Sequence, residues 1–214
     1  MWYRGLIRRA FHHFYRELAW SYDGVAWAVS GGLWRRWVYA ALPELTGRTL
    51  ELGFGPGHLQ LALAARPGAA GLDASPQMAA RAARRLRRAG RRPRLARGLA
   101  QALPFPAASF DTVVATFPAE YILDRLTHAE VRRVLAPGGR LVIVPYAELA
   151  PGLYRRAVDL AYALTLQAPA RRAGPDAQAA APLSVAGIAL APRWVAVGPS
   201  RVMVLVGERT ADEA

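Results

Sequence analysis

Leu50-Glu51-Leu52-Gly53-Phe54-Gly55-Pro56-Gly57-His58 joins an apolar run to a helical pattern through three alternating glycines. Glycine carries no Cβ, so backbone N–H groups in such a turn approach a ligand closely. Dinucleotide-binding turns space their glycines G-x-G-x-x-G, the third serving helix packing beside a pyrophosphate. Here the third glycine comes one residue early, and Glu51 stands two residues before Gly53. An acidic residue there suits a ligand with a cationic amino group better than one with phosphates. Any tight strand-to-helix turn also uses glycine, so the loop alone does not name a ligand.

The residues downstream narrow it. Ala69-Ala70-Gly71-Leu72-Asp73 reads as a short second strand ending in an acid. Asp73 follows Gly53 by about 20 residues, the spacing at which an acid accepts ribose hydroxyls. Ser75-Pro76 opens a helix, Ser75 as N-cap and Pro76 at the first helical position. Ala102-Leu103-Pro104-Phe105-Pro106 precedes Ser109-Phe110-Asp111-Thr112-Val113-Val114-Ala115, and Arg133 to Val144 reads as helix end, tight turn and buried strand.

From about Tyr22 to Tyr146, these motifs together resemble class I S-adenosylmethionine (SAM)-dependent methyltransferases. The resemblance is to the type 11 group, which includes ubiquinone/menaquinone C-methyltransferases. It implies SAM as cofactor and a Rossmann-like doubly wound sheet in the order 3-2-1-4-5-7-6, its last strand antiparallel. It also implies that Glu51, Gly53, Phe54, Gly55, Gly57, Asp73, Ala74, Met78, Ala100, Gln101 and Thr116 bind the cofactor. Met78 would cover one face of the adenine. The chain departs from the group at Leu99, where many relatives place an aspartate that accepts from the adenine amino group. Adenine recognition then falls on the backbone of Ala100 or on Gln101.

Composition sets further bounds. The 214 residues suit one domain, or one domain with an appendage. The chain has 28 basic residues against 15 acidic, a net charge of +13, every basic residue is arginine, and cysteine is absent. Disulfides, thiolate nucleophiles and Cys-ligated metals are therefore excluded. Biased codon usage accounts for most of the arginines, with a nucleic-acid or anionic-membrane surface as the sharper alternative. No stretch approaches the roughly 18 uninterrupted apolar residues of a spanning helix. The N-terminus lacks a signal peptide's apolar region. The expected location is the cytoplasm, with possible peripheral contact with anionic membrane.

Residues 1–45 are expected to form a helical cap and 46–214 the SAM-binding core. Within the cap, Tyr3, Ile7, Phe11, Phe14 and Leu18 recur at helical spacing among arginines, a basic amphipathic helix over Trp2 to Trp20. A hinge over Tyr22 to Gly32 and a helix over Leu33 to Leu42 follow. Five strands are expected at Thr49–Leu52, Ala69–Asp73, Arg94–Leu99, Phe110–Ala115 and Arg140–Val144. Helices lie between them over His58–Ala65 and Pro76–Ala89, and strands alternating with helices indicate a parallel sheet wound on both faces. Gly152 to Gln167 reads as helix and Ala168 to Ala181 as a loop. Arg193–Val197 and Val202–Glu208 read as a closing hairpin.

Thr116-Phe117-Pro118-Ala119-Glu120-Tyr121 follows the fourth strand, at the edge where open α/β sheets bind ligands. It is not the Asn/Asp-Pro-Pro-aromatic motif of base N-methyltransferases, so nucleic acid loses support as a substrate. No carboxylate cluster for Mg²⁺ is evident there. Glu120 and Tyr121 are candidates for a general base, or else cap and packing residues. His12 is a third candidate because imidazole titrates near neutrality, although adjacent histidines on a basic helix are commonly solvated. The acceptor expected is a small or lipid-like molecule, a quinone-like aromatic first. A phospholipid headgroup amine, or an inactive SAM-binding partner module, are the alternatives.

Overall fold

The computed structural model describes Trp27 and residues 30–152 and 183–210. The expected helix over Trp2 to Trp20, His12, most of the expected hinge over Tyr22 to Gly32 and all of 153–181 lie outside the described residues.

Strand β1 (Thr49–Leu52) is buried along its whole length and sits between two parallel neighbours, β2 (Ala70–Asp73) and β4 (Phe110–Thr116). β3 (Leu95–Arg97) adds outside β2, and β5 (Leu135–Val144) outside β4, both parallel. Beyond β5 the sheet turns antiparallel with β9 (Ser200–Glu208), then β8 (Ile188–Val197) and β7 (Leu183–Val185), while β6 (Ala147–Leu149) pairs with β9. The order β3-β2-β1-β4-β5-β9-β8 is the expected 3-2-1-4-5-7-6, with β9 as the antiparallel strand. Strand order reverses between β1 and β4, so their carboxyl ends open a crevice for a ligand.

Both faces are covered because side chains alternate along each central strand. Val113, Ala115, Leu141 and Ile143 join one core with Val131 and Val134 of α4 (Arg125–Val134). Val114, Val142 and Val144 join the other with α1 (Trp34–Tyr39) and α2 (His58–Leu63). Helix α3 (Pro76–Arg88) packs on α2, β2 and β3. Its cap is the one expected: Ser75 Oγ accepts from the Met78 N–H at 3.2 Å, with Pro76 in the first turn.

Several boundaries differ from expectation, each for a local reason. α1 ends at Tyr39 rather than Leu42, and a 3₁₀ turn (Leu42–Glu44) follows, since Pro43 cannot donate into a continuing helix. β5 begins at Leu135, which already pairs with Phe110. Gly138 then turns at φ +71°, and the ladder shifts register before Arg140 meets Thr112. The closing hairpin is longer than expected because its flanking residues continue the β8–β9 ladder to Ala191 and Ser200, and β8 runs on to Ile188 by pairing with β7.

Two buried contacts fasten the segment before β1. Trp37 Nε1 donates to Ser200 Oγ at 2.8 Å, tying α1 to β9. Thr112 Oγ1 donates to the Thr46 carbonyl at 2.8 Å and accepts from the Thr46 N–H at 3.1 Å. Thr112→Val keeps the shape but leaves both Thr46 groups unpaired. It should lower stability by about 1–3 kcal/mol, seen as a lower urea midpoint at unchanged slope.

Candidate active site

The three loop glycines all have positive φ (66°, 51° and 82° for Gly53, Gly55 and Gly57), and each answers a different need. A Cβ on Gly53 would stand 2.6 Å from Tyr121 Oη, and one on Gly57 2.7 Å from the Cβ of Ala82 on α3. Gly57 therefore permits close helix packing. A Cβ on Gly55 would meet nothing within 4 Å, so that face of the loop is open. Arg85 donates to the Pro56 carbonyl and braces the loop from α3. The Phe54 ring is buried toward Gly71, leaving the residue to line the cleft from the loop.

Two carboxylates stand behind the loop. Glu51 is 1% exposed, and its Oε2 accepts from Gln60 Nε2 at 2.7 Å. Burial pushes its carboxyl up to about 8; the Gln60 amide opposes this and the charge of Asp73 adds to it. Asp73 accepts from the Gly55 N–H through Oδ2 and from the Ser75 N–H through Oδ1, both at 2.8 Å. Burial raises it too, against those two amides. Among the described residues no arginine pairs with either acid. Two acids beside an open loop, with no cation paired to either among the described residues, are chemically suited to an ammonium group and hydroxyl donors.

Glu51, Gly53, Phe54, Gly55 and Thr116 line one cleft, which Trp34, Val38, Pro56, His58 and Leu59 complete. Asp73 reaches the same loop through Gly55. Ala74 is exposed on the edge beside Asp73, and Met78 is buried beneath it in the first turn of α3. Ala100 is buried, whereas Leu99 is 60% exposed. Gln101 Nε2 donates to Asp124 Oδ2 at 3.0 Å, and Asp124 in turn caps α4. Glu120 is exposed in the 3₁₀ turn Glu120–Leu123.

Tyr121 fits the role of base poorly. Its Oη donates to the Leu52 carbonyl at 3.0 Å, and burial with the charges of Asp73 and Glu51 pushes the phenol above its ordinary range. It packs across Gly53 and braces the loop. Sequence reasoning missed Gln60 and the cleft wall at Trp34 and Val38. Gln60 carried a faint signal, a polar residue on the buried face of a short apolar helix; Trp34 lies outside any motif.

Sheet order and glycine loop give a Rossmann-like fold of the kind found in solved SAM-dependent methyltransferases. A family model described as "Methyltransferase domain" matches residues 49–139. The demethylmenaquinone methyltransferase of Thermus thermophilus is 39% identical over 140 residues, 62% of this chain and 64% of that protein. The ubiquinone/menaquinone biosynthesis C-methyltransferase of Syntrophotalea carbinolica is 34% identical over 151 residues, 65% of this chain and 64% of that one. The chain thus spans just under two thirds of the length of these relatives. A SAM-dependent methyltransferase structure from Thermotoga maritima, described as a possible histamine N-methyltransferase, aligns with TM-score 0.61 at 17% identity. That alignment covers 92% of this chain and 99% of the other. Residues 49–139 accordingly match a methyltransferase domain, on a fold that solved SAM-dependent methyltransferase structures share.

SAM is the cofactor of SAM-dependent methyltransferases, and the residues present fit it: an open glycine loop, buried Glu51 and half-buried Asp73, neither paired with a cation among the described residues. The raised Glu51 carboxyl has a measurable consequence. Between its ordinary 4.5 and about 8, the folded protein holds a proton that the unfolded chain has released. Unliganded stability should therefore fall as pH rises through that window. Glu51→Gln, which can still accept from Gln60, should flatten the fall. Urea midpoints of both proteins at several pH values check this, and parallel curves would contradict it.

Proposed function

We propose that the protein is a SAM-dependent methyltransferase that methylates a carbon of a quinone-like aromatic acceptor. The observation that carries the cofactor half is the acid pair behind the open face of Gly55, to which no cation is paired among the described residues. The acceptor half rests on the relatives, whose names specify demethylmenaquinone and ubiquinone/menaquinone biosynthesis. In this reading residues 1–45 cap the site. The lipid-like acceptor and net charge of +13 suit peripheral contact with an anionic membrane.

Each residue then has a definite task. Glu51 faces the ammonium group of SAM, whose arrival would draw the carboxyl back into its ionised form. Asp73 accepts from the ribose hydroxyls with the lone pairs its two amide partners leave unused. Gln101 spends its amide nitrogen on Asp124, which leaves Oε1 as an acceptor for the adenine amino group in place of the aspartate missing at Leu99. Bound SAM supplies a methyl group on a positively charged sulfur, and the departing thioether needs no proton. The chain's contribution is alignment, water exclusion and removal of a proton from the acceptor. Of the edge candidates, exposed Glu120 is available for that proton and Tyr121 is not.

The test is incubation with SAM and a reduced demethylmenaquinone analogue, followed by mass spectrometry for a product heavier by one methylene. Asp73→Ala should weaken SAM binding by about 1.5–3 kcal/mol, roughly ten- to a hundredfold, in calorimetry. No heat with SAM in the wild type would reject the reading. Because Leu99 is exposed, Leu99→Asp should leave the fold intact and hold or tighten SAM affinity. Weaker SAM binding in that variant would show that Leu99 does not face the adenine.

A further inference from the structure

Phe117, the first residue after β4, has φ +49°, a left-handed conformation. A bulky side chain there is sterically disfavoured and persists only when its surroundings over-determine it. Three contacts do so. The Phe117 N–H donates to the Val144 carbonyl at 2.7 Å, pinning the backbone to β5. The ring stacks on Trp34 at 4.5 Å and 30°, and lies tilted against Trp37 at 6.3 Å. Trp37 is itself held by Ser200 Oγ at 2.8 Å. The turn thus holds a phenylalanine where glycine would sit without strain.

Trp37 is buried, but Trp34 and Phe117 are only half-buried. Trp34 also lines the cleft that holds Glu51, Gly53, Gly55 and Thr116, and Thr116 directly precedes Phe117. The stacked pair is therefore an aromatic wall at the carboxyl edge, on the opposite side of the cleft's rim from Asp73's strand. We propose that the Trp34–Phe117 pair is the subsite that seats the acceptor ring, a planar, largely apolar aromatic bicycle. Offset or edge contacts with the pair would orient the ring toward the cleft. The proposal rests on the methyltransferase reading above and deepens it, since it commits to where the acceptor sits.

The test measures 1,4-naphthoquinone binding to the full-length protein by equilibrium dialysis and SAM binding by calorimetry. The chain has no cysteine, so thiol adducts of the probe do not intrude. Trp34→Leu removes one π face, Phe117→Gly removes the other while relaxing the backbone, and Trp34→Phe restores an aromatic. Both disruptive variants should weaken naphthoquinone binding by about tenfold, and Trp34→Phe should recover most of it. SAM affinity of Phe117→Gly should change by less than about twofold, because Phe117 is not among the residues that line the cleft of Glu51 and Gly55. Unchanged probe binding in both disruptive variants would overturn the subsite while leaving the methyltransferase reading intact. A wild type that binds SAM but no naphthoquinone would overturn the quinone-like acceptor and the subsite together. A Phe117→Gly variant that melts lower with unaltered probe binding would make the ring a packing residue.

Discussion

Glu51, buried in β1, and Asp73, half-buried at the end of β2, have no cation paired with them among the described residues, in a chain that carries 28 basic residues. Among the described residues, arginines form ion pairs with Glu44, Asp111, Glu130, Glu148 and Glu208, away from the loop. Desolvation makes such an arrangement costly for the folded state. Backbone amides compensate in part, and in doing so shape the loop. Asp73 takes the N–H of Gly55, so the acid that would receive the ribose also fixes the glycine turn that would receive the rest of the cofactor. Loop geometry and ligand electrostatics are here a single constraint, and neither can change without the other.

The remaining architecture brings distant segments to that point. Strand reversal between β1 and β4 sets the glycine loop beside Thr116 and Phe117. The last strand takes part as well. Ser200 on β9 fixes Trp37, and Trp37 fixes α1 and hence Trp34, which stacks on Phe117. The closing hairpin, some 150 residues from the glycine loop, thereby sets one wall of the cleft. Deep burial on both faces of β4 and β5 keeps this relay stiff.

The parts most legible in the sequence were those governed by local rules. Alternating glycines, an acid ending β2, Ser75-Pro76 as a cap and apolar runs for β4 and β5 each follow from backbone sterics or burial. The sheet order followed from the family resemblance rather than from any local pattern. The parts that were not legible depend on tertiary contact. Pro43 shortens α1, the Gly138 turn lets β5 start early, and β6 forms because β9 offers it an edge. Tyr121 looked like a base because of its place after β4, yet its hydroxyl is committed to the Leu52 carbonyl. No pattern in one dimension announces that bond, or the Gln60 amide on Glu51.

Departures from ordinary protein economy gather at one edge. Of the three described non-glycine residues with positive φ, Ala108 and Ala186 are small and lie in turns; Phe117 is bulky and directly follows a buried strand. Glu51 is a nearly fully buried acid with a raised carboxyl. Glu51 lies toward the carboxyl end of β1, and Phe117 just beyond that of β4. Elsewhere the central strands are covered and α3 and α4 are capped by Ser75 and Asp124, so local preference and fold agree there. Where they disagree, in backbone strain and a buried acid, stability has been given up for something the unliganded chain does not use. A ligand with a cation for Glu51, hydroxyls for Asp73 and an aromatic partner at Phe117 would relieve most of these conflicts at once, which is the physical argument for a two-substrate site at this edge.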